Sequence, residues 1–268
     1  MDKRAIGVFD SGLGGLTVVK ELISKLPGED IVYFGDTARI PYGTRSKEAV
    51  GRYSAQCVRF LQSQGVKLIV VACNTVSSCC LDLLQDNVDI PIIGVIKPGA
   101  RAALEVTSNN RIGIIGTKGT ISSGAYENTI NSLNPDITLF SRACSLFVPI
   151  AEEGWAETDI AYLAAKRYLD DMRDNDIDTL ILGCTHYPLL SGSIRRVMGD
   201  DVTLIDPAEG TAKVVAEYLY KYDKANRGNH VGDIKFFVSD FGQGFEQIGS
   251  RFLNKGIISA QHIDIEKY

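Results

Sequence analysis

The chain has 268 residues, of which 45% are hydrophobic and 23% charged, with a formal net charge of -5 and a pI near 5.3. This acidic balance argues against a generalised attraction to nucleic acid or anionic membranes, both of which need a basic surface. The composition is that of a soluble globular protein long enough for one large α/β domain or two modest ones, and no apolar run approaches the ~18 residues of a membrane span.

The opening MDKRAIGVFDSG moves straight into a strand-like segment without the apolar core of a secretory leader, so a cytoplasmic enzyme or binding protein is expected. The pattern then predicts a strand over 5–10 (AIGVFD), a helix from Leu16 to Leu26, a strand over 30–36 (DIVYFGD) and a helix from Ser46 to Gln64. A strand over 67–73 (KLIVVAC) leads into helices from Thr75 to Gln85 and from Pro98 to Val106. A strand over 111–117 (RIGIIGT), a helix from Ser123 to Leu133 and a strand over 136–141 (DITLFS) follow. A helix from Asp159 to Asp174, a strand over 178–184 (DTLILGC), a helix from Gly210 to Tyr222 and a strand over 235–240 (KFFVSD) complete the series. The strands are apolar on both faces, as buried parallel strands are, and their alternation with helices predicts three-layer α/β units. Ala49, Tyr53, Cys57, Phe60 and Leu61 share one face of the helix opened by Ser46, and that face is expected to pack on the sheet.

The sequence carries a faint internal repeat. VKLIVVACNT (66–75) aligns with IDTLILGCTH (177–186), and IGVFDS (6–11) with IGIIGT (112–117). Duplication of an α/β unit is one explanation, and the general similarity of short α/β strands is the other. If the halves are duplicates facing each other, Cys73 and Cys184 meet, because ligands of open α/β sheets collect at the carboxyl ends of strands.

The six cysteines, at 57, 73, 79, 80, 144 and 184, show neither a disulfide framework nor zinc-ligand spacing. A free cysteine is usually a small buried hydrophobe, and Cys57, Cys79, Cys80 and Cys144 are read that way. Cys73 and Cys184 differ in ending a hydrophobic strand, followed by Asn74–Thr75 and by Thr185–His186. Donors at a following helix start lower a thiol's pKa and make it a base or nucleophile, and His186 supplies a cation or donor beside the second thiol. In FDSGLGGL (9–16) the order fits neither dinucleotide nor P-loop patterns. It reads as a small-anion site built on Ser11 and backbone N–H groups, or as a helix N-cap formed by Asp10 or Ser11. Beside an anion site, Asp10 makes sense if the ligand also carries an ammonium group, as an amino acid does. GDTARIPYGTRS (35–46) offers a second loop with a rigid Pro41–Tyr42–Gly43 turn. VPIAEEGW (148–155) ends an apolar run with Glu152 and Glu153, which are either solvated or close to the site.

FDSGLGGLTV, GDTARIPYG, ACNT and GCTHYPLL, in this order, closely resemble the glutamate racemases of the bacterial aspartate/glutamate racemase superfamily. The resemblance implies two similar three-layer α/β domains with mostly parallel sheets, related by a pseudo-twofold, with the active site in the cleft between them. Residues 1–97 with 207–268 are expected to form one domain and 98–206 the other. It further implies exchange of L- and D-glutamate with no cofactor and no metal, Cys73 deprotonating the D-enantiomer and Cys184 the L-enantiomer. Asp10 and His186 would assist the thiols, with Asp36 and Glu152 as further acid/base helpers. The implied substrate-binding set is Asp10, Ser11, Pro41, Tyr42, Gly43, Asn74, Thr75, Thr185 and His186. D-Glutamate would feed peptidoglycan synthesis, and dimers are common in the family, although the sequence locates no interface. Val76 stands where the family often has a smaller residue. An aspartate racemase of the same superfamily and a non-catalytic amino-acid-binding protein are the competing readings.

Overall fold

A computed structural model of the chain describes residues 1–226, 230–241, 245–253 and 259–268. The strands are, in chain order, β1 (Ile6–Asp10), β2 (Ile31–Gly35), β3 (Leu68–Val71), β4 (Ile92–Gly94), β5 (Arg111–Gly116), β6 (Thr138–Ala143), β7 (Thr179–Gly183), β8 (Thr203–Ile205), β9 (Ile234–Val238) and β10 (Ala260–His262). They form two sheets, a six-stranded one in the order β10-β9-β2-β1-β3-β4 and a four-stranded one in the order β6-β5-β7-β8. The described pairings are parallel. Stripped of β9 and β10, the first sheet repeats the order of the second, and the two aligned sequence pairs fall on β1 with β5 and on β3 with β7.

The central strands β1, β2, β3, β5 and β7 are buried on both faces, which is why they read as continuous apolar runs. Successive side chains point to opposite faces. Ile6 and Val8 of β1 pack with Leu16, Val19 and Leu22 of the Leu16–Lys25 helix and with Val215 and Leu219 of the Pro207–Lys221 helix. Phe9 turns the other way, toward Cys57, Phe60 and Leu61 of the Lys47–Ser63 helix. In the second sheet, Leu180 and Leu182 meet Ala161, Ala165 and Leu169 of the Asp159–Arg173 helix, while Ile112, Ile114 and Ile181 meet Ala100, Ala103, Tyr126 and Ile130. Each such large apolar side chain contributes about 1.5–3 kcal/mol by leaving water. Val76 is wholly buried and fills the core beside Phe9.

The expected Ser46 cap is present, its hydroxyl accepting from the Ala49 N–H at 3.3 Å. Several elements depart from the expected ones. The helix foreseen over 75–85 is two, Asn74–Cys79 and Leu81–Gln85, broken at Cys80 with φ -132° and ψ 0°. The one foreseen from Ser123 starts at Ala125, because Gly124 takes the left-handed φ of 65° and separates it from a shorter Lys118–Ser122 helix. The helix over Ile96–Val106 begins two residues before Pro98, and Pro207–Lys221 begins three before Gly210, where Asp206 caps it. The 148–155 stretch belongs in part to a Phe147–Glu152 helix. No helix among the described residues is long and apolar enough to cross a membrane.

Candidate active site

A cavity of about 370 Å3 opens where the carboxyl ends of β1 and β3 face those of β5 and β7. Its wall includes Ser11 after β1, Cys73, Asn74 and Thr75 after β3, Thr117 after β5, and Cys184, Thr185 and His186 after β7. Both thiols therefore reach one cavity from topologically equivalent strands. Of the residues expected at the site, all but Asp10 and Asp36 line it, including Pro41, Tyr42, Gly43 and Glu152.

Cys73 is 4% exposed and lies at the N-cap of the Asn74–Cys79 helix, its Sγ donating to Ser11 Oγ at 3.5 Å. Burial, and then the nearby Asp10 carboxylate, push its thiol up to about 12, against the hydrogen bonds from Ser11 and the Val76 N–H. Charge on Cys184 adds to the rise, so the two sulfurs sense each other. Asp10 is 1% exposed, and its Oδ2 accepts from the Gly12 N–H at 3.0 Å while Oδ1 has no hydrogen-bond partner. Burial raises its pKa, and His186 and the loop N–H groups pull the other way. Neither Asp10 nor Ser11 caps the following helix, whose N-cap is Gly15.

Cys184 has a different neighbourhood. Its Sγ lies 3.9 Å from His186 Nδ1, and His186 Nε2 pairs with Glu152 Oε1 at 3.0 Å. Burial disfavours the charged imidazole, but the hydrogen bonds to Cys184 and Glu152 outweigh it, and His186 is pushed up to about 10. A cation there stabilises negative charge on the Cys184 sulfur.

The two halves lock across the cavity. Tyr126 donates to Asn74 Oδ1 at 2.8 Å, and the Thr75 and Thr117 hydroxyls are 3.0 Å apart. Gly14 is there for close approach, since a Cβ on it would stand 2.6 Å from His186 Nδ1. The glycine loop thus serves packing against the second half as well as exposing its backbone.

Asp36 is fully buried behind the wall rather than in it. One oxygen accepts from Tyr42 and from Arg39 Nε at 2.7 Å, the other from Ser239 at 2.8 Å. These contacts give it the work of fixing Tyr42, whose hydroxyl it holds. Sequence reasoning did not find Thr117, although Thr117 aligns with Ser11 in the repeat, nor the exposed Lys118 at the cavity wall. It also missed the Phe245–Leu253 helix, which sets the Phe252 ring edge-on to His186 at 5.3 Å and the Arg251 guanidinium 3.3 Å from the Glu152 carbonyl. No local pattern marks those two side chains. Among the described residues no group of three or more His, Cys, Asp or Glu side chains is placed to hold a metal ion.

A profile of the Asp/Glu/Hydantoin racemase family matches residues 6–215. A glutamate racemase of Geobacter metallireducens is 50% identical over 99% of this chain and 98% of its own length. The crystal structure of a Francisella tularensis glutamate racemase in complex with D-glutamate superposes with a TM-score of 0.94 at 42% identity, covering all of both chains. That of a Thermus thermophilus glutamate racemase in complex with β-chloro-D-alanine gives 0.90 at 41% identity, again over both chains in full. On its fold, its paired strand-end thiols and these likenesses, the chain belongs to the Asp/Glu/Hydantoin racemase family of isomerases.

Proposed function

We propose that the protein interconverts L- and D-glutamate by proton transfer at the α-carbon, using Cys73 and Cys184 as two bases and no cofactor. The observation that carries this reading is the pair of thiols entering one cavity from equivalent strand ends of two sheets. A single base tends to return the proton to the face it came from, whereas groups on opposite faces make inversion direct. In the L-to-D direction the Cys184 thiolate, charge-balanced by His186, takes the α-proton, and the Cys73 thiol gives its own to the other face. The reverse reaction exchanges the roles. The state before L-glutamate binds is favoured by the neighbours, because Asp10 and burial keep Cys73 protonated.

The α-proton is a far weaker acid than a thiol, so charge developing on the α-carboxylate must be stabilised by fixed donors in a largely dry site. Ser11, Asn74, Thr75 and Thr185 are the donors within the wall, and Asp10 stands near enough to favour the substrate ammonium. The Pro41–Gly43 turn and Lys118 are suited to the side-chain carboxylate. We assign residues 1–97 with 207–268 to one closing domain and 98–206 to the other, following the division of strands between the sheets. Glutamate is favoured over aspartate by the relatives at 41–50% identity, each a glutamate racemase. D-Glutamate made in the cytoplasm would supply peptidoglycan synthesis.

The test is racemisation in deuterium oxide by protein stripped of pyridoxal phosphate and metals, with L-glutamate and L-aspartate assayed in parallel. The expected result is D-glutamate carrying solvent deuterium at the α-carbon. Faster turnover of aspartate would point to the shorter substrate, and binding without deuterium uptake would leave only a binding protein.

A further inference from the structure

Cys79 and Cys80 lie outside the proton-transfer machinery, yet they sit one helical turn past Thr75. Their Sγ atoms are 3.2 Å apart, and Cys79 also donates to the Thr75 carbonyl at 3.0 Å. Cys79 is half-buried, whereas Cys80 is 2% exposed with its sulfur 3.7 Å from the Lys47 carbonyl. The pair occupies the break between the Asn74–Cys79 and Leu81–Gln85 helices, where the backbone has already left helical geometry. A regular helix would resist a bond between adjacent side chains, and this break lowers that resistance.

We propose that Cys79 and Cys80 form a modification site, a vicinal dithiol that a low-molecular-weight disulfide oxidises to a Cys79–Cys80 bond, loosening the Thr75 wall of the cavity. Cys79 is the entry point because it is only partly buried, whereas Cys80 is buried. Its sulfur attacks one sulfur of the reagent, whose S–S bond breaks, and one thiol leaves with the Cys79 proton. Cys80 Sγ then attacks Cys79 Sγ, and the second thiol leaves with the Cys80 proton. The protein loses two hydrogens and the reagent is reduced to two thiols. Cys80 Sγ already stands 3.2 Å from Cys79 Sγ, within reach of this second attack.

The bond is reversible by construction. Adjacent Cα atoms are about 3.8 Å apart across a trans peptide, closer than the roughly 4.4–6.8 Å of unstrained disulfides, and such strain makes a disulfide easier to reduce. Closing the sulfurs from 3.2 Å to about 2.0 Å also takes Cys79 from the Thr75 carbonyl. Thr75 holds Thr117 of the opposite half through their hydroxyls at 3.0 Å, so a shift in this short helix reaches the wall and the contact between halves.

The experiment incubates the full chain with glutathione disulfide, then with dithiothreitol, and follows racemisation together with fragment mass spectra of the peptide that carries both residues. The expected result is a loss of two hydrogens between Cys79 and Cys80, a roughly 10-fold fall in rate consistent with a small displacement of the wall, and recovery on reduction. Cys79→Ser should keep basal activity and escape this loss, whereas Cys80→Ser should keep basal activity and stop at a mixed disulfide on Cys79 with no Cys79–Cys80 bond. Glutathione found only on Cys73 or Cys184, or a loss of rate in Cys79→Ser equal to the parent's, overturns the site. A Cys79–Cys80 bond with unchanged rate overturns its link to the cavity. The mass readout needs no turnover, so an inactive protein would count against the racemase reading and not against this one.

Discussion

The β3 end and the β7 end share a backbone plan and differ in their partners. Each strand delivers a cysteine to the cavity and each sits at the same place in its sheet. Around Cys73 the neighbours are a hydroxyl, Ser11, and a buried carboxylate, Asp10. Around Cys184 they are an imidazole and, behind it, Glu152. Repetition of the fold therefore supplies two thiols to one cavity, and divergence of the second layer gives them unlike neighbours, with burial and Asp10 pushing the Cys73 thiol up. On the proposed two-base reading, duplicated architecture with unlike neighbours lets one thiol hold a proton while the other takes one.

The largest effect should come from removing either sulfur. Cys73→Ala and Cys184→Ala are each expected to lower racemisation by about 10^3-fold or more, within the range of positioned acid–base groups. The two variants should differ in exchange. With L-glutamate in deuterium oxide, Cys73→Ala retains the base that removes the proton and should return deuterated L-glutamate, whereas Cys184→Ala should not. Equal exchange by both variants would erase the distinction between the halves.

Breaking the His186–Glu152 pair should come next. Glu152→Gln removes one of the interactions that raise His186, and a loss of roughly 10²-fold in rate is expected for a charge supporting the base. The pH dependence has a definite sign. His186 is raised in the folded protein from 6.5 to about 10, so its contribution to stability is complete below 6.5 and is lost as pH rises through 10. In Glu152→Gln that loss should begin at lower pH, as thermal melting between pH 6 and 10 would register. An unshifted melting profile would mean that Cys184 alone holds the imidazolium.

The halves were legible in the sequence where chemistry is local. ACNT and GCTH each close an apolar strand with a thiol and polar groups, and the structure brings both to the cavity. What escaped is set by contacts between distant parts of the chain. Nothing around Asp36 says that Ser239 and Tyr42 occupy it, and the spacing of Glu152 and His186 gives no sign that they pair. β4, β8 and β10 have three residues each, too few to display a period of two. The helix break at Cys80 carries neither glycine nor proline, and Pro149 hid the Phe147–Glu152 helix although it lies in the first turn, where no intrahelical N–H bond is lost.

Gly14 tests how tightly the first half must seat on the second. Gly14→Ala drives a methyl group toward His186 Nδ1 and the Thr185 hydroxyl. About a 10-fold fall in kcat is expected from displaced catalytic groups. A full-rate variant would show that the loop yields without disturbing the imidazole.

The smallest effect on rate, and a separate one on stability, is expected at the ends of β4 and β8. Val95 follows β4, whereas Asp206 follows β8 and caps the Pro207–Lys221 helix by accepting from the Ala208 N–H at 2.9 Å. Burial pushes Asp206 up to about 6, Glu21 and Glu209 add to the rise, and the Ala208 N–H and Lys20 oppose it. A carboxyl raised from 3.8 binds its proton more tightly when folded, so its contribution to stability is complete below 3.8 and is lost as pH rises through 6. Asp206→Asn keeps an acceptor for the cap and removes the charge. It should match the parent near pH 4 and exceed it at pH 7 by on the order of 3 kcal/mol in urea unfolding, since each unit of pKa shift corresponds to about 1.4 kcal/mol. A variant less stable than the parent at pH 7 would mean that the charge at the helix start outweighs its burial, and the β8 end would then be stabilised by the ion that its environment opposes.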